Sequence, residues 1–222
     1  MTPEATLSHA AARALYDWIG RWQDTQRFYE DLATSDLVAH AALEQANSVF
    51  EFGAGTGRLA ERMLRDHLPP GTLYRGVDVS TTMVALAEKR LQPWLHRAAV
   101  TRSDGSTKLE APSARFDRFV STYVLDLLSS EDIVQIVCEA RRLLVPEGLL
   151  CLVCAAPGTT LPERIVMGAA AYLYALSPRL VGGCRAIELG RFVGSDHWRV
   201  VHRRVVSKWG IPSEVLVAAR RA

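Results

Sequence analysis

The most informative segment of this 222-residue chain is Glu51-Phe52-Gly53-Ala54-Gly55-Thr56-Gly57. It ends an apolar, strand-like segment and leads into a helical pattern at residues 56–67. Three glycines at alternate positions let a backbone turn tightly and approach a ligand without an obstructing Cβ, and free N–H groups at a helix start attract negative charge. The stretch therefore indicates a ligand-binding turn between a strand and a helix. A tight turn without a ligand would accept the same glycines, and this alternative stays open.

Outside this turn, strand-like and helical patterns alternate from residue 48 onward. Such alternation favours a parallel sheet with helices on both faces. We predict strands at residues 49–52, 73–79, 116–122 and 149–155, with a further strand ending near residues 103–105. Two more, at 198–206 and 213–217, should form a closing antiparallel pair joined by residues 210–212. The predicted class is α/β, with seven strands, a mostly parallel sheet and an antiparallel last strand.

The length of the chain fits one domain with one buried core. We expect residues 1–46 to form a helical N-terminal cap, with apolar side chains at helical spacing at Leu15, Trp18, Ile19 and Trp22. Residues 48–155 should form the cofactor-binding core, and residues 156–222 a substrate-side helix and the closing strands. The apolar helical segment 165–176 is shorter than the roughly 20 residues that span a bilayer. It is expected either to pack as a core helix or to cap an apolar pocket.

Composition and charge reduce the range of possible functions. The formal net charge is only +2 and the basic residues are scattered, so no nucleic-acid surface is expected. Cys151 and Cys154 point to opposite faces of a strand and cannot easily share a metal, so we predict buried thiols and no metal site. The chain start has no basic segment followed by an apolar run, which makes the cytoplasm the expected location. Peripheral membrane contact and the oligomeric state stay open.

A second cue lies at the end of the second predicted strand. Asp78 follows the glycines by about 20 residues, where an acid can accept hydrogen bonds from both ribose hydroxyls of a nucleoside. Two rival motifs fail at Arg58: a dinucleotide fingerprint needs glycine or alanine there, and a phosphate-binding P-loop needs lysine. The glycine turn and the acid together predict a nucleoside cofactor.

These residues resemble the class I S-adenosylmethionine-dependent methyltransferases, in particular the small-molecule branch of ubiquinone and menaquinone biosynthesis. The resemblance covers roughly residues 48–155 and implies a Rossmann-like sheet. Residues 49–57 resemble the first motif of the family, and residues 76–80 with Met83 resemble the acid of the second strand and the following helix start. Ser103-Asp104-Gly105 resembles the adenine-contacting segment, Phe116-Asp117 the start of the fourth strand, and residues 143–149 the helix, turn and strand after it.

The resemblance implies a cofactor site for S-adenosyl-L-methionine. Its glycine turn would contact methionine and ribose, Asp78 the ribose hydroxyls, Asp104 the adenine amino group and Met83 the adenine face. Glu51 would orient the glycine turn or the methionine ammonium, or it is a structural anchor, and both roles stay open. The full set of expected cofactor-binding residues is Glu51, Gly53, Ala54, Gly55, Gly57, Asp78, Val79, Met83, Ser103, Asp104, Gly105, Ser121 and Tyr123, the last two bordering the transferable methyl.

The expected function is methyl transfer to a small molecule, for which an apolar quinone-like or lipid-like compound is one candidate. The fourth strand ends in Ser-Thr-Tyr-Val and lacks the Asn/Asp-Pro-Pro pattern of methyltransferases that act on DNA bases. The sequence assigns no catalytic residue. The alternatives are an NAD(P)-dependent oxidoreductase, disfavoured by Arg58, and a non-catalytic cofactor-binding module.

Overall fold

The computed structural model describes residues 27–177 and 184–221. The four positions named above in the N-terminal cap lie outside this range. The helices are α1 (Arg27–His40), α2 (Arg58–Asp66), α3 (Thr81–Arg90), α4 (Ser130–Leu143) and α5 (Leu161–Leu176). The strands are β1 (Ser48–Phe52), β2 (Leu73–Asp78), β3 (Ala98–Arg102), β4 (Phe116–Thr122), β5 (Leu144–Ala155), β6 (Trp198–Lys208) and β7 (Ile211–Arg220).

The seven strands form one sheet in the order β3-β2-β1-β4-β5-β7-β6. Strands β1 to β5 pair in parallel, whereas β7 is antiparallel to both β5 and β6. This arrangement confirms the predicted α/β class, the mostly parallel sheet and the antiparallel last strand. The strand order reverses between β1 and β4, and in open α/β sheets the crevice at such a point lies outside the carboxyl ends of the strands.

Side chains alternate across the sheet, so the interior strands contribute to two cores. Val49 of β1 packs with α1, α2 and α3 on one face, and Phe50 packs with α4 on the other. In β5 the buried Cys151 and Cys154 belong to opposite faces, which confirms the prediction for these two thiols; Cys138, by contrast, is exposed. Burying apolar area on both faces at about 25 cal/mol per Å² is what holds the parallel strands in the interior.

The boundaries differ from the sequence prediction at three turns. Helix α2 begins at Arg58 and not at residue 56, because Gly57 caps it in the left-handed conformation with φ 75°. Strand β5 begins at Leu144, and the expected turn at residues 146–148 is an irregularity within its pairing to β4. The hairpin between β6 and β7 turns at Trp209 and Gly210, so Ile211 and Pro212 already belong to β7.

Helix α5 is not a core helix. Glu163 is its only buried residue, and its side chain accepts hydrogen bonds from the backbone N–H groups of Thr159 and Thr160 at the helix start. Apolar side chains along the helix are exposed, among them Leu161, Ile165, Tyr172 and Leu176. Among the described residues, no helix has the length and apolar character needed to cross a membrane.

Candidate active site

A cavity of about 450 Å³ opens at the carboxyl ends of β1, β2 and β4. Its volume lies within the range of small-molecule sites, which are mostly apolar with a few placed polar groups. Apolar side chains in the wall come from Phe52, Leu59, Val77, Val79, Met83, Val124, Leu127 and Leu128. Polar groups come from the glycine turn, Asp78 and Ser103, in addition to charged side chains at the rim. The crevice expected from the reversal of strand order is therefore a formed pocket.

The glycine turn forms the floor of this cavity. The N–H groups of Gly53 and Ala54 both donate to the carbonyl oxygen of Val77, which fastens the turn to β2. A Cβ at Gly53 would collide with Val124, and a Cβ at Gly57 would come within 2.9 Å of the backbone of Ala87. At Gly55, whose φ is 53°, a Cβ would meet no atom within 4 Å. The outer two glycines are thus required by packing, and the middle one leaves open space toward the cavity.

Asp78 joins the glycine turn to the start of α3. Its Oδ2 accepts a hydrogen bond from the N–H of Gly55 at 2.8 Å, and its Oδ1 accepts one from the N–H of Ser80 at 2.9 Å. Ser80 in turn caps α3 by accepting from the N–H of Met83. The carboxylate is therefore oriented by two backbone donors from different segments while it lines the cavity. Such charge-assisted bonds hold a group more firmly than neutral ones do.

Glu51 is a buried acid at the inner end of the cavity. Only 1% of its surface is exposed, and the hydroxyl of Tyr74 donates a hydrogen bond to its Oε2 at 2.5 Å. Burial raises the pKa of Glu51 to about 8, with a further rise from the negative charge of Asp78, although the bond from Tyr74 opposes both. Burial also raises the pKa of Tyr74 well above its ordinary value. Glu51 is thus largely neutral at pH 7, and a cationic ligand group beside it would favour its ionised form.

Most of the sequence-predicted site residues meet at this cavity, and three do not line it. Glu51, Gly53, Ala54, Gly55, Asp78, Val79, Met83, Ser103, Gly105 and Tyr123 form part of its wall. Gly57 lies behind the turn, against α3. Ser121 is buried in β4, where its hydroxyl donates to the carbonyl oxygen of Phe52 at 3.0 Å. Asp104 is exposed, and its carboxylate accepts from the N–H of Ser106 at 2.7 Å.

Tyr123 has a strained backbone at the mouth of β4. Its φ is 55°, a left-handed value that is uncommon for an aromatic residue and concentrated at functional sites. Its hydroxyl and that of Ser213 in β7 are 2.9 Å apart, and its N–H donates to the carbonyl oxygen of Val153. These bonds on both sides hold the ring in place on the cavity wall.

Sequence reasoning missed a charged rim that α1 and α2 contribute to the cavity. Asp31 and Thr34 come from α1, and Arg58, Glu61 and Arg62 come from α2. Asp31 forms an ion pair with Arg58, and Arg62 donates to the hydroxyl of Ser35 at 3.2 Å. Each helix alone shows an ordinary charged face. Their meeting at the cavity depends on tertiary packing, for which a single sequence has no local signal.

The fold and this pocket define a class of protein, an α/β domain with a ligand-sized crevice at the first strand-to-helix turn. A family model described as a methyltransferase domain matches residues 49–148. Just under half of the chain is therefore similar to a methyltransferase domain, and the methyl donor to which this similarity points is S-adenosylmethionine.

Two curated relatives resemble the chain. An uncharacterized methyltransferase of Oceanobacillus iheyensis is 26% identical over 148 residues, which cover 60% of this chain and 65% of the relative. A non-reducing polyketide synthase of Emericella nidulans is 29% identical over 124 residues, which cover 53% of this chain and 5% of the synthase. The chain thus matches less than two thirds of the length of each relative.

Two solved structures show the same fold at low sequence identity. The [4+2]-cyclase SpnF has a TM-score of 0.71 at 16% identity, and the match covers 98% of both chains. Magnesium protoporphyrin IX methyltransferase from Synechocystis, solved with bound S-adenosylhomocysteine, has a TM-score of 0.63 at 19% identity and covers 94% of this chain and 92% of its own. Proteins named for different reactions therefore share this architecture.

Proposed function

We propose that the protein transfers a methyl group from S-adenosylmethionine to a small-molecule acceptor of apolar, quinone-like or lipid-like character. The observation that carries the proposal is the cavity at the glycine turn, where open space above Gly55 lies beside the oriented carboxylate of Asp78. The matched methyltransferase domain spans this cavity.

The residues at the cavity fit an adenosyl sulfonium. Gly55 leaves room for the ligand to lie on the backbone, and Asp78 offers carboxylate oxygens to ribose hydroxyls. Met83 and Val79 supply apolar contacts for a purine ring, and Ser103 and Gly105 border the same part of the wall. Glu51 lies where an acid can face the methionine ammonium, with Tyr74 orienting it. We propose these groups as the cofactor site, with Asp104 joining the adenine contact only if its carboxylate leaves Ser106.

The chain contributes to the reaction chiefly by positioning. Bound S-adenosylmethionine supplies a methyl group already activated by a positively charged sulfur. The rigid turn, the oriented Asp78 and the doubly held Tyr123 fix the direction from which an acceptor can approach. Holding two reactants in line contributes roughly 7–11 kcal/mol to such a step. The apolar side chains of Val124, Leu127 and Leu128 exclude water from the same space.

Support for an apolar acceptor comes from two surfaces. The cavity wall includes a group of apolar side chains, Val124, Leu127 and Leu128, that follows β4. Helix α5 presents Leu161, Ile165, Tyr172 and Leu176 to solvent, and it lies in the segment that the sequence predicts to be the substrate side. An acceptor with an extended apolar part would cover such side chains at about 25 cal/mol per Å².

Turnover with a panel of acceptors tests the proposal. The purified protein is incubated with S-adenosylmethionine and quinols, phenols, amines or lipids, and S-adenosylhomocysteine and methylated product are measured by mass spectrometry. We expect turnover with an apolar acceptor and none in its absence. Because fold does not fix the reaction, binding of the cofactor without turnover across the panel would favour a non-catalytic module, and tight binding of NADH in its place would favour an oxidoreductase.

A further inference from the structure

Two histidines and an aspartate meet at the junction of α1 and the edge strand β6, on a part of the molecule that the cofactor cavity does not include. Asp36 and His40 lie one turn apart on α1, and His202 comes from β6, 166 residues after Asp36. One nitrogen of each imidazole and one oxygen of the carboxylate lie within 4.8 Å of one another. Imidazole nitrogen and carboxylate oxygen are the ligands that zinc binds besides thiolate.

From this cluster we infer that Asp36, His40 and His202 bind a divalent transition ion of the zinc type, which fastens α1 to the sheet. The inference is independent of the proposed methyl transfer. It depends on how the three side chains are held.

The hydrogen bonds around the cluster already orient two of the ligands. Nδ1 of His40 lies 2.8 Å from the carbonyl oxygen of Asp36, to which it can only donate, so Nε2 is the ring nitrogen that could bind an ion. This is the outer bond that metal-binding histidines usually make. Nε2 of His202 donates to Oδ2 of Asp36 at 2.7 Å. An ion bound between these two atoms would replace the proton of that bond, since metal ligands must be deprotonated.

Binding requires small movements that the site permits. Two ligand atoms on one tetrahedral zinc ion lie about 3.3 Å apart, given metal–ligand distances near 2.0–2.1 Å. The His202–Asp36 contact must therefore lengthen by about 0.6 Å. The rings of His40 and His202 are stacked with centroids 3.6 Å apart, so the ring of His40 must turn out of the stack. Its side chain is 42% exposed, whereas those of Asp36 and His202 are 10% and 17% exposed.

One neighbouring charge opposes the ion. Nη1 of Arg204, also on β6, lies 3.6 Å from Oδ1 of Asp36, and the Arg204 side chain is 65% exposed. This guanidinium competes for the same carboxylate, and its exposure lets it move into solvent when an ion binds. Replacing Arg204 should consequently tighten metal binding, which is an effect that a merely structural Asp–His pair would not show.

The site has a structural consequence for the cavity. Asp31 and Thr34, on the turns of α1 that precede Asp36, form part of the cavity rim. An ion shared by α1 and β6 would stabilise the position of this helix against the sheet. Binding to the folded protein alone, at a free concentration 100 times the dissociation constant, makes the unfolding equilibrium about 100-fold less favourable. For a domain of this size, that corresponds to a rise in melting temperature of about 5–10 °C.

Calorimetric titration with Zn²⁺ tests the inference on full-length protein without a histidine tag, after treatment with a chelator. We expect one ion per chain, the stated rise in melting temperature, and a visible absorption band when Co²⁺ replaces Zn²⁺. His40→Ala and His202→Ala should each weaken binding at least tenfold, the loss that even an outer-shell change causes, and Arg204→Gln should strengthen it. Melting curves in chelator verify that the variants fold. Because the ring of His40 is more exposed than that of His202, we expect His40→Ala to disturb the fold less than His202→Ala does.

The matched control is His96→Ala. His96 is exposed and lies just before β3, at the opposite edge of the sheet from β6. Its variant should bind Zn²⁺ like the unaltered protein. The inference is overturned if binding is not saturable, or if folded His40→Ala binds Zn²⁺ as tightly as the unaltered protein. It is also overturned if His96→Ala loses binding. Loss of binding in Cys138→Ser would overturn it as well, because it would place the ion at the exposed thiol of Cys138.

Discussion

Replacing Glu51 with glutamine should change how the stability of the unliganded protein depends on pH. Burial raises the pKa of this carboxyl from 4.5 to about 8 in the folded protein. Between these values the folded state binds more protons than the unfolded state, so its free energy of unfolding falls as the pH rises. The contribution is greatest below about pH 4.5 and levels off above about pH 8.

The size of the effect follows from the shift. Each pKa unit corresponds to 1.36 kcal/mol, and the linkage relation gives a loss on the order of 4 kcal/mol between pH 5 and pH 9 for this one group. Glutamine has nearly the same shape, remains neutral throughout and can still accept the hydrogen bond from Tyr74. Glu51→Gln should therefore match the unaltered protein at pH 5 and exceed its stability at pH 9.

Urea unfolding at pH 5, 7 and 9 measures this difference. Other titrating groups, including Asp126, are present in both proteins, so their contributions cancel in the comparison. We expect the two curves of unfolding free energy against pH to diverge steadily above pH 5. Parallel curves would refute the reasoning, because they would show that Glu51 is already ionised in the folded state.

The other predictions concern the cofactor cavity and a second buried acid. Asp78→Ala should weaken binding of S-adenosylhomocysteine about 10- to 100-fold by calorimetry, because bonds to a charged group contribute about 1.5–3 kcal/mol. Asp104→Ala should weaken it less, because Asp104 does not line the cavity and its carboxylate is bonded to the N–H of Ser106. Gly55→Val should abolish that binding, because its side chain would enter ligand space and because a β-branched residue is strained at a φ of 53°. Gly71→Val, in open space away from the cavity and without a left-handed φ, should bind normally. Burial raises the pKa of Asp126 to about 7, so Asp126→Asn should gain on the order of 3 kcal/mol of stability relative to the unaltered protein between pH 5 and pH 9. If the difference in unfolding free energy between the two proteins, measured in urea, is the same at both pH values, this prediction is wrong.

The sheet could be predicted because its signals are local. Buried strands such as β5 are continuous apolar runs, and the glycine turn and the cap Ser80 mark helix starts by their own chemistry. The register irregularity in β5 and the start of β7 at Ile211 could not be predicted in this way. Both depend on pairing with another strand, and pairing overrides the turn preference of Pro146 and Pro212.

The candidate site likewise has a part that local motifs predict and a part that depends on tertiary packing. Gly55 and Asp78 belong to short motifs at strand ends, and in the structure the N–H of Gly55 donates a hydrogen bond to Oδ2 of Asp78 at 2.8 Å. The charged rim of α1 and α2 and the cluster of Asp36, His40 and His202 have no such motif, because their members come from distant segments. Of the two alternatives for α5, the core helix was wrong, because an apolar helix pattern indicates a face to be covered but does not say whether this chain covers it.

The proposed cofactor site is tested most directly by a crystal structure of the protein with S-adenosylhomocysteine. We expect the nucleoside to lie over Gly55, with its ribose hydroxyls hydrogen-bonded to the carboxylate of Asp78 and its purine ring against Met83. A nucleoside bound elsewhere on the molecule, or an Asp78 carboxylate that does not contact the ribose, would contradict it.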